Sequence, residues 1–475
     1  MSLLFQDLKP KAIWQHFAAI NAIPRASTKE EEIIQYMIDF GNALKLETIT
    51  DAIGNVIIKK PATLGKENSP IVVLQGHLDM VHQKEIDSNF DFVAQGIDMY
   101  IEGDWVKAKG TTLGADNGIG VAAIMAVLSS NSIEHPQIEA LFTIDEEVGM
   151  TGAEALQSSQ LSGSILLNLD TEEEDEIIIG CAGGVDVEIK EILSTELLDD
   201  SYAFFEIKLD GLTGGHSGMD IHLSRANAIK VLALVLGQLE IRISTINSGT
   251  LTNVIPRYGN AIVAIKSEYD IQKEISKIQE ELRAVFFETD KELSISLFKV
   301  NEKYQVISND VQNKFLKDLE DIPNGVYSFT EGMPELVQTS NNVAKINLEK
   351  GIYKIACHTR SSVDSERNEL VAKIEDIFNT ATLNKVGPYP GWRPQPNSNL
   401  LDTAKQCFKA LHGKEAQVKS IHAGLECGIL SGTFPKMEMI SFGPNIRGAH
   451  SPEERLQISS THFFWDLLIL ILNKV

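Results

Sequence analysis

Three apolar runs within the first 170 residues each end on acids or histidine. IVVLQGHLDM closes on His77 and Asp79, IEALFTIDEE on Asp145, Glu146 and Glu147, and SILLNLD on Asp170. Such continuous apolar runs read as strands buried on both faces, which a chain achieves by laying helices over a sheet. The intervening segments supply them. Residues 29–45, KEEEIIQYMIDFGNALK, carry apolar positions at helical spacing, and DNGIGVAAIMAVLSS turns at Asn117-Gly118 into a helix of small and apolar residues. With VIIKK as a further strand, the order predicts an α/β sheet with helices on both faces, the kind of sheet that builds its site at the strand ends.

Near residue 190 the style changes. YAFFEIKLDGL, the helix SRANAIKVLALVLGQLE, AIVAIKSEY and a charged helix from Ile271 to Glu288 are followed by SISLF, the hairpin-like VAKINLEKGIYKIACHT and the helix ERNELVAKIEDIF. This alternation reads as an inserted α+β region over residues 190–390, in the pattern of two ferredoxin-like halves. GPYPGWRPQPNSN looks like the linker back, and residues 391–475 resume the α/β pattern with the helix LLDTAKQCFKALHG and the strand KMEMISFG. A chain of 475 residues accommodates two or three domains. The reading here is a discontinuous domain of residues 1–189 and 391–475 with one insertion.

A net charge of -24 argues against nucleic acid or an anionic membrane as partner, because either needs a basic face. Such a balance serves solubility, or carboxylates gathered around cations. Cys181, Cys357, Cys407 and Cys427 lie far apart without a CxxC pair, so neither a disulfide framework nor a cysteine zinc site is indicated. With no signal-type apolar region and no stretch of about 18 apolar residues, we expect a soluble cytoplasmic protein.

Five segments carry the chemistry. His77 and Asp79, two apart at a strand end, turn to the same side, where the carboxylate can hold the imidazole in one tautomer; a satisfied polar histidine is the plainer reading. Asp116, in Gly114-Ala115-Asp116-Asn117-Gly118, is either a ligand or a helix cap. Asp145, Glu146 and Glu147 form either a solvated acidic loop or a group whose repulsion cations relieve. Asp170 ends a strand, and the acids after it lack the glycine and glutamate of a calcium loop, so residues 171–176 read as a solvated loop. His450 follows the strand MEMISFG. Two histidines and three carboxylates suit a pair of zinc-class ions, one carboxylate bridging, while a further acid moves the proton of an attacking water. Adjacent Glu146 and Glu147 can divide those two tasks.

HLD, GADNG, DEEVG, the strand-end Asp170 and the late His450, in that order, resemble the M20 family of metallopeptidases over nearly the whole chain. GLTGGHSGMDIH, LTNVIP, HAGLECGIL and GAHSPEERL are most similar to its aminoacyl-histidine (Xaa-His) dipeptidases. The resemblance implies a zinc-peptidase-like catalytic domain with a mixed sheet and an inserted lid that binds substrate and leaves room for dimerisation. It implies two divalent ions, zinc foremost with cobalt or manganese as substitutes. His77 and Asp170 would hold one ion and Glu147 and His450 the other, with Asp116 bridging. Glu146 would be the general base, Asp79 would orient His77, and the Asp116-Asn117 peptide would be cis. His216 would donate to the tetrahedral oxyanion, unless it is a surface histidine in a glycine turn. Asn253 and Arg360 would hold substrate, Arg360 as a clamp on a free carboxylate unless it is a surface arginine, and Gly424 and Glu426 would shape the substrate end or amine site. The expected substrates are small peptides, Xaa-His and carnosine-like ones first, with a homodimer left open. An N-acyl amino acid deacylase or tripeptidase shares this chemistry. A non-catalytic metal- or peptide-binding protein is the rival of another class, and it has no need of Glu146.

Overall fold

The computed structural model describes residues 3–85, 87–266, 269–331, 333–422 and 424–475. The chain divides into two compact units: Met1–Gly180, Trp392–Ser420 and Leu425–Val475 form the first, and Cys181–Gly391 with Ile421–Gly424 the second.

In the first unit an eight-stranded sheet runs in the order Glu47–Thr50, Val56–Lys60, Ile138–Thr143, Val72–His77, Ile165–Asn168, Glu438–Ser441, Glu176–Cys181, Gln417–Ile421. Its four central strands, from Ile138–Thr143 to Glu438–Ser441, are mutually parallel, so their carboxyl ends share one edge. Glu47–Thr50 with Val56–Lys60, Val56–Lys60 with Ile138–Thr143, and Glu438–Ser441 with Glu176–Cys181 pair antiparallel, which makes the sheet mixed. Every residue of Val72–His77 and Ile138–Thr143 is buried, as strands covered on both faces require. Lys11–Asn21 packs on Ala115–Ser129, which lies against Val72–His77; Asn399–His412 packs on Ile458–Lys474 and on Glu438–Ser441. Leu74, Phe17, Ile119, Val127, Phe408 and Leu468 belong to one continuous core. Among the described residues, no helix is long and apolar enough to cross a membrane.

The second unit is built on a nine-stranded antiparallel sheet in which the β-α-β-β-α-β order occurs twice. One copy runs Tyr202–Asp210, helix Ala228–Gly237, Arg242–Ser248, Gly259–Lys266, helix Ile271–Val285, Ser294–Val300. The other begins with Gly183–Ile192 and continues, after the first copy has intervened, through helix Asn309–Asp321, Met333–Glu349, Ile352–Ser361, helix Asp364–Ile377 and Thr382–Tyr389. The extra strand Gly325–Thr330 pairs with Met333–Glu349. Two differences from the sequence reading have a common cause in strand pairing. Gly183–Ile192 joins the second unit because it pairs with Ile352–Ser361 and Thr382–Tyr389, and the last of these runs through the glycine and proline of the expected linker to set Tyr389 opposite Gly184.

The two copies meet where Arg242–Ser248 pairs with Met333–Glu349, Ile246 opposite Leu348 and Ser248 opposite Ile346. Gly249 ends that seam at φ 80, and a Cβ there would stand 1.8 Å from the carbonyl oxygen of Ala344. Gly249→Ala therefore combines left-handed strain with a backbone collision and is expected to lower unfolding free energy by about 2 kcal/mol or more in urea denaturation. An unchanged midpoint would show that the seam has more room than the backbone allows.

Candidate metal centre

The shared carboxyl edge of the parallel strands gathers the predicted residues. His77 is the last residue of its strand; Asp145, Glu146 and Glu147 begin two residues beyond Ile138–Thr143; Asp170 stands two residues beyond Ile165–Asn168; His450 comes from the turn after Glu438–Ser441 and the short strand Ile446–Arg447. Asp116 enters from the start of helix Ala115–Ser129, where its own and Asn117's backbone angles are not helical and the Asp116–Asn117 peptide is cis, as the resemblance implies. His77 Nε2 lies 3.1 Å from Asp116 Oδ1, 3.5 Å from Asp170 Oδ1 and 3.9 Å from Glu146 Oε2. His450 Nε2 lies 3.2 Å from Asp116 Oδ2 and 3.0 Å from Glu147 Oε2. Asp116 thus turns one oxygen to each histidine. Ligand atoms close enough to share an ion occur in the groups His77, Asp116, Asp170; Asp116, Glu147, His450; and His77, Glu146, Glu147.

Local backbone devices aim these side chains. Asp145 and His450 adopt left-handed conformations (φ 53 and 62), uncommon for residues with a side chain and found where the surroundings over-determine them. Asp145 is held by bonds from Thr28 N at 3.0 Å and Thr151 Oγ1 at 3.0 Å. Asp79, fully buried, lies 3.3 Å from His77 Nδ1 through Oδ1, which leaves Nε2 to face the carboxylates. The same carboxylate accepts from Glu146 N at 3.0 Å, Glu147 N at 3.2 Å and Ser27 Oγ at 2.9 Å, so it also pins the acidic turn. Asn117 Nδ2 donates to Leu169 O at 2.6 Å and ties the Asp116 turn to the Asp170 strand.

Two anchors carry no signal in the spacing of the sequence. Glu454, buried, accepts from four consecutive backbone N–H groups: Leu113 at 2.7 Å and Gly114 at 2.9 Å on Oε2, Ala115 at 2.7 Å and Asp116 at 3.3 Å on Oε1. Arg25, also buried, donates to Leu78 O at 3.0 Å, Asp79 O at 2.9 Å, Asn21 Oδ1 at 3.2 Å and the Gly114 carbonyl. Together they tie the His77, Asp116 and His450 segments to one another. Glu426 begins helix Glu426–Thr433, fully buried, with Oε2 accepting from Gln75 Nε2 at 2.6 Å and Thr143 Oγ1 at 2.8 Å. The run 171–176, expected to be solvated, is instead half-buried, and burial pushes the Glu172 carboxyl up to about 8.

The electrostatics are those of anions held out of water. Burial raises Glu146 well above the usual carboxylate range, and the charges of Asp170, Glu426 and Glu147 add to it against the pull of His77. Burial likewise brings Asp170 to about 7 and Glu426 to about 7. Asp116 is held well below the usual range because its bonds to His450 and His77 overcome its burial. His77 rises despite burial, driven by the charge of Asp170 and bonds to Asp116, Asp170 and Asp79. His450 rises to about 11 through Asp116 and Glu147. Glu147 Oε1 is buried with no hydrogen-bond partner among the described residues. An incomplete counter-charge and an orphaned carboxylate oxygen fit a site made for divalent cations.

The remaining predicted residues belong to the second unit, except Glu426. His216 pairs in a short bridge with Val254, and its Nδ1 accepts from Gly218 N at 3.1 Å and Met219 N at 3.1 Å. The proton of the neutral ring therefore sits on Nε2, and burial followed by the charge of Arg360 keeps the ring neutral. Asn253 O accepts from Ser217 N at 2.8 Å. Arg360 is buried, with Nη1 donating to the Tyr389 hydroxyl at 3.0 Å. Gly424 lies in the coil before Glu426. His422, which the sequence reading did not single out, joins this group by a 2.7 Å contact between Nε2 and Ser340 Oγ, and burial takes it down to about 3.

The profile of peptidase family M20/M25/M40 matches residues 73–473, and the chain belongs to that family; it is a hydrolase of the peptidase class. It is similar to the cytosol non-specific dipeptidase of Escherichia coli (strain K12), 39% identical over 484 aligned residues covering 100% of this chain and 99% of the relative. The crystal structure of aminoacylhistidine dipeptidase from Vibrio alginolyticus superposes with a TM-score of 0.94 at 38% identity, covering 99% of this chain and 98% of that one. Aminopeptidase PepT from Bacillus cereus ATCC 10987, at 15% identity and a TM-score of 0.58 over 98% of this chain and 99% of that one, shares the fold.

Removing the Glu454 carboxylate strands four backbone donors, each costing about 1–3 kcal/mol when buried without a partner. Glu454→Ala should thus destabilise the first unit by several-fold more than a surface Glu→Ala change, and Glu454→Gln, which keeps an acceptor, should do less harm. Urea unfolding of the two variants checks the order.

Proposed function

We propose that the protein is a two-metal dipeptidase, zinc being the foremost metal and cobalt or manganese able to substitute. Its substrates are short peptides with a free α-amino group, Xaa-His and carnosine-like dipeptides among them. The observation that carries this reading is Asp116, one oxygen toward His77 and the other toward His450, with Asp170 and Glu147 completing the two ligand groups. His77 and Asp170 would hold one ion, Glu147 and His450 the other, and Asp116 both. Bound there, the ions would acidify a water and polarise the scissile carbonyl.

The chain's own residues do the rest. Glu146, whose carboxyl burial raises, accepts the proton of the attacking water and passes it to the leaving amine. Geometry alone would also allow Glu146 as a ligand beside His77 and Glu147. Asp79 keeps His77 in the tautomer that presents Nε2. In the second unit, His216 offers its Nε2–H to the developing oxyanion, Arg360 receives the free carboxylate, and Asn253 and Gly424 shape the substrate's place. That unit acts as a lid whose His216 serves either its own chain or the partner in a homodimer. The names of the Escherichia coli and Vibrio relatives support dipeptides as substrates, and the former supports a cytoplasmic location.

Chelation should abolish hydrolysis of a dipeptide panel including carnosine, and added zinc should restore it; a stripped protein with undiminished rate would refute the metal mechanism. Glu146→Gln should lower kcat by roughly 100-fold to 10,000-fold while metal content stays near that of the wild type. N-acetylated dipeptides should resist cleavage, and their turnover would instead favour a deacylase.

A further inference from the structure

Along the strand Ile352–Ser361, Tyr353, Ile355 and Cys357 point into the core of the second unit, so His358 and Arg360 share the opposite face. Antiparallel pairing sets Asn342 and Asp186 on either side of His358, and Ser340 and Gly184 on either side of Arg360. Directly opposed residues point to the same face, so these form two adjoining polar rows. The absent side chain of Gly184 makes room for Tyr389: a Cβ there would lie 2.6 Å from the hydroxyl oxygen that accepts from Arg360. Asn342 Nδ2 donates to Thr252 O at 3.1 Å and Val254 O at 2.8 Å, which hangs the Asn253 turn from the same row.

Within this framework two groups are left over. His358 is 9% exposed and its Nδ1–H donates to Asp186, yet its Nε2 is buried with no partner among the described residues. Arg360 is 5% exposed and its Nε likewise lacks a partner. Asp186 fixes the tautomer: the proton is on Nδ1, and Nε2 presents a lone pair. Burial, with the charge of Arg360 added, opposes protonation of the ring against the pull of Asp186. A buried acceptor without a donor is costly, and a site built to bond a ligand's N–H discriminates against ligands that lack one. A fixed cation and a neutral acceptor two residues apart on a strand face, about 7 Å along the chain, suit a ligand bearing an anion and an N–H or O–H donor at a few ångströms from it. The C-terminal residue of a peptide has the anion in its carboxylate. When that residue is histidine, it has the donor in its imidazole.

We propose that His358 is a specificity-determining residue whose Nε2 accepts the N–H of a substrate's C-terminal imidazole while Arg360 holds the adjoining carboxylate. The inference rests on the dipeptidase reading above and adds to it the group that reads the side chain. The test compares kcat/KM for Ala-His and Ala-Leu in the zinc-loaded protein. His358→Asn can keep a donor for Asp186 but is too short to place its acceptor where Nε2 stands, and the Ala-His to Ala-Leu ratio should fall about tenfold, through KM for Ala-His. His358→Gln, which can return an amide oxygen to the place of Nε2, should recover part of that ratio. On the wild type, Ala-His carrying a methyl on either ring nitrogen has no N–H in its neutral form and should show a KM raised to a similar degree, which tests the idea even if a variant fails to fold. A ratio within twofold of wild type in His358→Asn, or unchanged KM for the methylated substrates, would overturn the assignment while leaving the dipeptidase reading intact. Absence of hydrolysis of any of these dipeptides by the wild type would overturn both.

Discussion

Carboxylates brought together out of water repel one another and lose their hydration, and the first unit is organised around meeting that cost. Asp79, Asp116, Glu146, Glu147, Asp170 and Glu426 influence one another's ionisation or that of His77, mostly in buried positions. The chain answers with fixed donors. Backbone N–H groups and Ser27 satisfy Asp79, Gln75 and Thr143 satisfy one oxygen of Glu426, and the two imidazoles sit where the remaining charge is densest. What the chain leaves uncompensated falls on Glu146, Asp170 and a buried oxygen each of Glu147 and Glu426, the first three of them members of the candidate ligand groups. A divalent cation bound among these groups would relieve that cost.

Around that cluster the framework is stiff for a stated reason at each point. Parallel strands deliver three of the candidate ligand segments to one edge, so small changes of register would move whole side chains to the other face. Arg25 and Glu454 then stitch the turns beyond the strands through backbone atoms, which fixes main-chain positions irrespective of the side chains in between. The second unit uses the same economy on an antiparallel sheet. Its helix-facing residues are apolar, while the opposite face carries the buried polar residues Asn342, His358 and Arg360 beside the half-buried Asp186.

Much of this was legible from residues alone. Strands ending in HLD, DEE and NLD announced both the sheet and the edge that gathers the candidate ligands, because apolar runs must be covered and their acids fall at the carboxyl ends of the strands. The duplication of the β-α-β-β-α-β order could be suspected from alternating strands and amphipathic helices, but its nesting could not, since the strand Gly183–Ile192 is separated by the whole first copy from the strands that flank it. Glu172 shows the opposite failure. An acidic run normally stays in water, but this one is half-buried where Ile446 N and Arg447 bond the Glu172 carbonyl, Arg447 meets Glu173 and Asn445 accepts from Glu174 N.

Local sequence thus determined which segments are strands and helices and which chemical types stand at their ends, because periodicity and turn chemistry act over a few residues. Only the tertiary structure decided that Asp116 faces two histidines lying 39 and 334 positions away, that Glu454 caps the turn before it, and that His358 Nε2, beside Arg360, is buried with no partner among the described residues. Those outcomes depend on distances across the sheet and on what is shut away from water, and neither quantity is encoded in the spacing of residues along the chain.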